Sequence, residues 1–287
     1  MLEMILSPRK AERHPWEMFF IGLVYASLSI LLVNWIFASD AVLSKYSGIL
    51  VVTFTVMFSL PFMYYMIKNE EKKNMEQKGV FRILKEQSRA LIALLWLFLG
   101  FILAFSFWYI IMPSPNTFRA QIETYCMINR PANFNDCVNE YGIKPSNITK
   151  TTTFATATER IFMIFSNNIY VLIFTLVFSL IFGAGAIFIL SWNASVIAAA
   201  VGIFSKASIT SLPLGVARYM IHGLPEIAAY FIGALAGGIV SVAVIKHDTK
   251  TEKFWSILRD SLSLIILAVI ILFVAALIEV FITPSLF

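Results

Sequence analysis

Residues 165–192 read FSNNIYVLIFTLVFSLIFGAGAIFILSW, a run without one charged side chain. About 20 apolar residues are enough for a helix to cross the hydrocarbon of a bilayer. Five further runs of this kind lie on either side: Glu17–Phe37, Gly48–Ile67, Ala90–Ile111, Leu224–Ile245 and Ser261–Ile282. Between the fourth run and the one at Leu224 lies Asn193–Gly223. It holds an apolar piece (ASVIAAAVGIF), a polar break (SKASITS) and a short piece beginning near Pro213. This segment reads as a fifth, discontinuous span that either crosses or re-enters. The expected fold is an all-α polytopic transmembrane bundle of about seven spans.

Composition supports the same class. The 287 residues are 59% hydrophobic and 14% charged, with a mean hydropathy of +0.80. A soluble domain carries about 25% charged residues, so a water-soluble enzyme and a disordered chain are both excluded. The first sixteen residues lack a long apolar core and a small-residue cleavage site, so the first span is expected to act as its own signal.

Net charge is +5. In a membrane chain that surplus belongs to cytoplasmic loops rather than to nucleic acid. Arg9, Lys10 and Arg13 precede the first span. Lys68, Lys72, Lys73, Lys78, Arg82, Lys85 and Arg89 separate the second from the third, and Lys246, Lys250, Lys253 and Arg259 precede the last. The loop between the first two spans holds only Asp40 and Lys45. The charge rule then places the N terminus in the cytoplasm, the loop 112–160 outside and, after seven crossings, the C terminus outside. A re-entrant fifth segment would bring the C terminus inside, but at the cost of putting a basic loop outside.

The outer loop contains Cys126, Cys137 and the sequon Asn147-Ile148-Thr149. In an oxidising compartment the cysteines either pair or remain free thiols, and Asn147 is a glycosylation acceptor only where the machinery exists. The chain divides into a two-span N-terminal part with a cytoplasmic basic helix (1–89) and a membrane part (90–287). Glu70, Glu71, Glu76 and Glu86 interleave with the bases of that helix, as expected of a solvated, amphipathic connector.

Catalytic signatures are missing. There is no H-E-x-x-H, Walker loop, G-x-G-x-x-G or G-x-S-x-G, no Cys/His metal set, and histidine occurs only at 14, 222 and 247. No cofactor or metal is expected. The unusual chemistry lies at Arg218, His222 and Glu226, four residues apart in an otherwise apolar region. Gly223 and Pro225 suggest that one helix ends at His222-Gly223 and the next opens at Leu224-Pro225-Glu226. That break would bring Arg218 and Glu226 into an ion pair, with His222 as a hydrogen-bonding partner. Such a trio pins a broken helix, receives a polar or anionic group as transporters do, or does chemistry. Asn168 either caps the fourth span or hydrogen-bonds the segment opposite. Gly233, Gly237, Gly238 and Ser241 form a small-residue surface for close helix packing, within this chain or in a homo-oligomer.

The stretch NNIYVLIFTLVFSLIFGAGAIFILSWNASVIAAAVG, followed by HGLPEIAAYFIGALAGGIV, resembles the stage II sporulation protein M family. The matching positions are Asn168, Gly183, Asn193, Gly202, His222, Gly223 and Glu226. The family's Asn-Gly step is Asn193-Ala194 here. The resemblance covers about Ala90 to the C terminus. It implies five spans with a large outer loop after the first of them, an integral membrane protein without established catalysis, and a namesake that acts as a membrane platform for cell-wall-degrading partners. The expectation is therefore a non-enzymatic scaffold or assembly factor of the prokaryotic plasma membrane. It would hold membrane or extracytoplasmic proteins through the outer loop and the basic helix. The alternative is a small-solute or ion transporter using the broken helix around His222–Glu226.

Overall fold

In the computed structural model, the described residues are 14–73, 80–112, 115–130, 133–143, 156–182, 185–205, 208–246 and 252–287. Among them there is no strand. This follows from the solvent, because a strand with an open edge would leave backbone N–H and C=O groups facing hydrocarbon. The helices are α1 (Glu17–Phe37), α2 (Ser47–Lys73), α3 (Val80–Ile111), α4 (Arg119–Asn129), α5 (Phe134–Glu140), α6 (Ala157–Phe182), α7 (Gly185–Phe204), α8 (Leu212–Lys246) and α9 (Glu252–Leu277). Seven of them, all but α4 and α5, are long and apolar enough to span a bilayer.

The number of spans agrees with the sequence reading, but two boundaries differ. The run 165–192 is not one span. Within it α6 ends at Phe182 and α7 begins at Gly185. Nothing polar separates the two helices in the sequence, so apolar length alone fuses them. The fifth span is therefore α7, unbroken from Gly185 to Phe204, and the polar break Ser205–Ser211 separates two spans instead of interrupting one. The sixth span begins at Leu212 and runs without interruption through His222, Gly223 and Pro225 to Lys246. Proline inside a spanning helix is tolerated where neighbouring helices re-satisfy the backbone. Gly223 is buried against Met220 and Ile197 rather than closing a helix. The basic segment 68–89 is occupied by the ends of α2 and α3, with residues 74–79 outside the described ones.

The centre of the bundle is built on α3 and α7, in each of which 61% of the spanning window is buried, against 28% for α1 and α9 and 22% for α6. Leu97, Phe98, Phe101 and Phe105 recur at helical spacing on α3 and are fully buried. Phe101 and Phe105 lie 6.3 Å apart, ring centre to ring centre. Lipid is as apolar as these side chains, so close packing holds the helices together rather than exclusion from water.

The tightest crossing is that of α1 and α3. A Cβ added to Gly22 would lie 2.4 Å from the carbonyl oxygen of Leu97, and one added to Gly100 2.2 Å from that of Phe19. Gly233 and Gly237 similarly admit α6, with Leu176 O 2.8 Å from a Cβ at Gly237, whereas Gly238 faces open space. The small-residue surface of the sixth span thus packs largely within the chain.

Gly100→Val should force α1 and α3 apart and destabilise the protein by about 1–3 kcal/mol, while Gly238→Ala should stay within about 0.5 kcal/mol of the parent. Thermal unfolding of both variants in one detergent checks this. An unchanged midpoint for Gly100→Val contradicts the close crossing.

Candidate functional site

Because α8 is continuous, Arg218, His222, Glu226 and Tyr230 form one strip at every fourth residue. The strip is about 18 Å long at about 1.5 Å per residue. Arg218 and His222 meet separate partners, and Glu226 and Tyr230 share one. The Arg218 guanidinium lies 4.9 Å from the Phe204 ring centre and 5.9 Å from that of Phe287, an arrangement that attracts a cation to the ring face. It makes no ion pair with Glu226, contrary to the sequence expectation. An unbroken helix keeps the two residues two turns apart, whereas a break would have folded them together.

His222 is buried, with Nδ1 3.2 Å from Thr283 Oγ1. Thr283 donates its only hydroxyl proton to Ile278 O at 3.3 Å. A Thr283 hydroxyl engaged in this way serves His222 as an acceptor, which suits an Nδ1 that carries the proton.

The centre of the cluster is Asn168 on α6, which is 5% exposed. Its Nδ2 donates to Glu226 Oε1, and its Oδ1 accepts the Tyr230 hydroxyl proton at 3.0 Å. Both ends of one amide are thus committed to α8, and Asn168 is the partner across the interface rather than a helix cap. Glu279, from the turn after α9, lies within electrostatic reach of Glu226 and Tyr230, and Arg160 is the nearby cation acting on Glu279. The surroundings are apolar. Ile164, Ala276 and Val280 are buried together with Ile161 and Phe165 against them, and Phe165 meets Phe273 edge to face at 5.6 Å.

Asn193, expected in this cluster, is not in it. Its Nδ2 donates to Ile189 O of its own helix at 2.8 Å. Glu279, Tyr230, Thr283 and Arg160 were absent from the sequence reading. Tyr230 continues the four-residue strip, and Glu279 is a lone carboxyl in the run ILFVAALIEVFIT, so two of the four carried a readable signal. Among the described residues no group of three or more His, Cys, Asp or Glu is placed to hold a metal ion.

A second feature is the α4–α5 hairpin. Cys126 and Cys137 form a disulfide, their Cα atoms 5.8 Å apart, and Arg130 Nη1 donates to Glu140 Oε2 at 2.8 Å. The hairpin is pinned to the bundle by Gln121, which is fully buried. Its Nε2 donates to Gly48 O at 2.9 Å and to Ser195 Oγ at 3.1 Å, joining α4 to α2 and α7. Tyr125 of α4 lies against Tyr219 of α8. The preceding turn is tied to α1 by Thr117 Oγ1, which donates to Asn34 Oδ1 at 3.1 Å. Asp40 orders the α1–α2 connection by accepting from Val42 N and Leu43 N at 2.8 and 2.7 Å, and these backbone bonds, Leu43 first, hold its carboxyl below the usual range. Asn147 lies outside the described residues.

The family model described as Stage II sporulation protein M matches residues 9–284, which takes in the first two spans as well as the rest of the bundle. An uncharacterised protein of Methanocaldococcus jannaschii is 32% identical over 130 residues, 42% of this chain and 70% of its own length. No solved structure matches the chain.

Asn168→Ala should strand both the Glu226 carboxyl and the Tyr230 hydroxyl at about 1–3 kcal/mol for each orphaned group. Tyr230→Phe should cost only about 1 kcal/mol. Thermal midpoints of the two variants in one detergent give the comparison, and equal losses would refute the bridging role of the amide. Cys137→Ser opens the 11-residue separation of the hairpin and should remove about 2–3 kcal/mol of its stability, seen as faster proteolysis between α4 and α5. An unchanged cleavage rate would contradict the bracing.

Proposed function

The chain belongs to the stage II sporulation protein M family, and from that premise we propose that it is a non-catalytic membrane scaffold whose α4–α5 hairpin docks partner proteins. The observation that carries this reading is the pinning of the hairpin. A disulfide closes it, and the buried Gln121 fixes it to two spanning helices. A surface held this firmly presents its exposed residues in one arrangement, which lowers the ordering cost of binding. Asn135, Asp136 and Asn139 are exposed on it.

In this reading the protein sits in the prokaryotic plasma membrane with the N terminus in the cytoplasm. The basic clusters at 9–13, 68–89 and 246–259 then lie on the inner side. With α7 and α8 as separate spans, seven crossings place the hairpin and the C terminus outside. An oxidising exterior also suits the disulfide.

A second reading, solute or ion movement, draws support from Asn168, Glu226, Tyr230 and Glu279 gathered at membrane depth, since polar groups there often mark a pathway. The continuity of α8 removes the discontinuous helix on which the sequence case for transport rested.

A photo-crosslinking residue placed at Asp136 in cells of the native host should give a discrete protein adduct that Cys137→Ser abolishes. No adduct at Asp136, or an adduct indifferent to Cys137→Ser, contradicts the docking role. Flux in proteoliposomes that disappears in a stably folded Glu226→Gln variant would favour transport instead.

A further inference from the structure

The regular helix of α9 ends at Leu277, and residues Ile278–Ile282 form a π-helical turn before a last turn at Thr283–Leu286. A π turn holds one residue more than an α turn, and such turns concentrate at functional positions. Relaxing it to α geometry would rotate everything beyond it by about 100° and shift it by about 1.5 Å along the axis. The π register is what presents the following residues to α8. In it, Thr283 meets His222, the Phe287 ring lies 5.9 Å from the Arg218 guanidinium, and Val280 joins Ile164 and Ala276. A rotation of 100° cannot keep the Thr283 and Phe287 contacts.

We propose that Ile278–Phe287 is a two-position cover for the Asn168–Glu226–Tyr230 cluster, closed in the π register and opened by relaxation to a regular helix. The balance of forces suits a device with two states. The closed form is held by one 3.2 Å hydrogen bond, one loose cation–ring contact and a cluster of three buried apolar residues. These are modest terms, and they are set against the poorer hydrogen-bond geometry of a π turn. The bulk of the core, on α3, α7 and α8, does not depend on the position of this segment. Opening would carry Thr283 from His222 and Phe287 from Arg218 while leaving the amide bridge of Asn168 to Glu226 and Tyr230 in place. The cluster would then be reached from the side that Glu279 now occupies. The cover stands or falls apart from the docking role of the hairpin, because it involves none of the same residues.

The full-length protein in nanodiscs, treated with a water-soluble carbodiimide and glycine ethyl ester, reports access to Glu226 through mass spectrometry of its peptide. Glu123 on α4 serves as the reference carboxyl. Two variants open the cover by different routes: Phe287→Ala removes the ring beside the Arg218 guanidinium, and Thr283→Val removes the hold on His222. Both should raise modification of Glu226 by about threefold or more, with modification of Glu123 unchanged. If the two variants disagree, Thr283→Val decides alone. Unchanged modification of Glu226 in Thr283→Val overturns the proposal. So does a parallel rise at Glu123, which would mean general loosening.

Discussion

Hydrocarbon accepts and donates no hydrogen bonds, and the rest of this structure follows from that. A polar atom at membrane depth can find a partner only within the chain. Backbone groups do so by forming helices. Small hydroxyls turn back on their own helix, as Ser29 does to Tyr25 O, Thr55 to Val51 O and Thr175 to Val171 O. Longer polar side chains have to reach across, and Asn168 makes the most complete use of this by giving its donor to Glu226 and its acceptor to Tyr230. Ser106, Ser179, Ser191 and Ser261 are buried with an unpartnered hydroxyl oxygen. For Ser179, the neighbour of Gly237 at the α6–α8 crossing, small size has greater weight than polarity.

The same constraint orders the end of the molecule that bears the disulfide. The α4–α5 hairpin could have been a loose loop between two spans. Instead Gln121 enters the bundle and supplies a donor to Gly48 O, where a side chain on residue 48 would collide with it, and to Ser195 Oγ, which donates in turn to Trp192 O. Glycine at 48 and glutamine at 121 are thus fitted to each other across 73 residues of sequence. In the proposed reading, the hairpin held firm at one end is the surface that the protein presents.

Much of the fold was legible because lipid imposes a length rule on apolar runs. The first span was placed at its observed limits, and the total of seven agreed. The errors have physical causes. One helix ends at Phe182 and the next begins at Gly185, and the small residues between them in sequence score as membrane by hydropathy. Gly223 and Pro225 are the usual end signals of a soluble helix, but neighbouring helices let a spanning helix run through them. Of the cluster, the role of Asn168 across the interface was one of two readings left open, and His222 and Glu226 were singled out for their cost in lipid. Glu279 is legible as the lone carboxyl of an apolar run, whereas Thr283 is not, because its importance comes from the π turn, which no residue pattern announces. The pairing of Arg218 with Glu226 rests on the expected break at Gly223 and Pro225; with the helix continuous, Arg218 lies between two aromatic rings instead.

The claim on which the functional reading rests is that lipid surrounds the seven helices with the hairpin turned away from the cell interior. A membrane-impermeant maleimide applied to intact cells tests it directly on two single substitutions at exposed positions, Asn135→Cys on the hairpin and Lys85→Cys at the start of α3. Labelling of Asn135→Cys before lysis and of Lys85→Cys only after lysis is the expected result. Labelling of Lys85→Cys in intact cells, with Asn135→Cys protected until lysis, would invert the molecule and contradict the docking surface proposed for it.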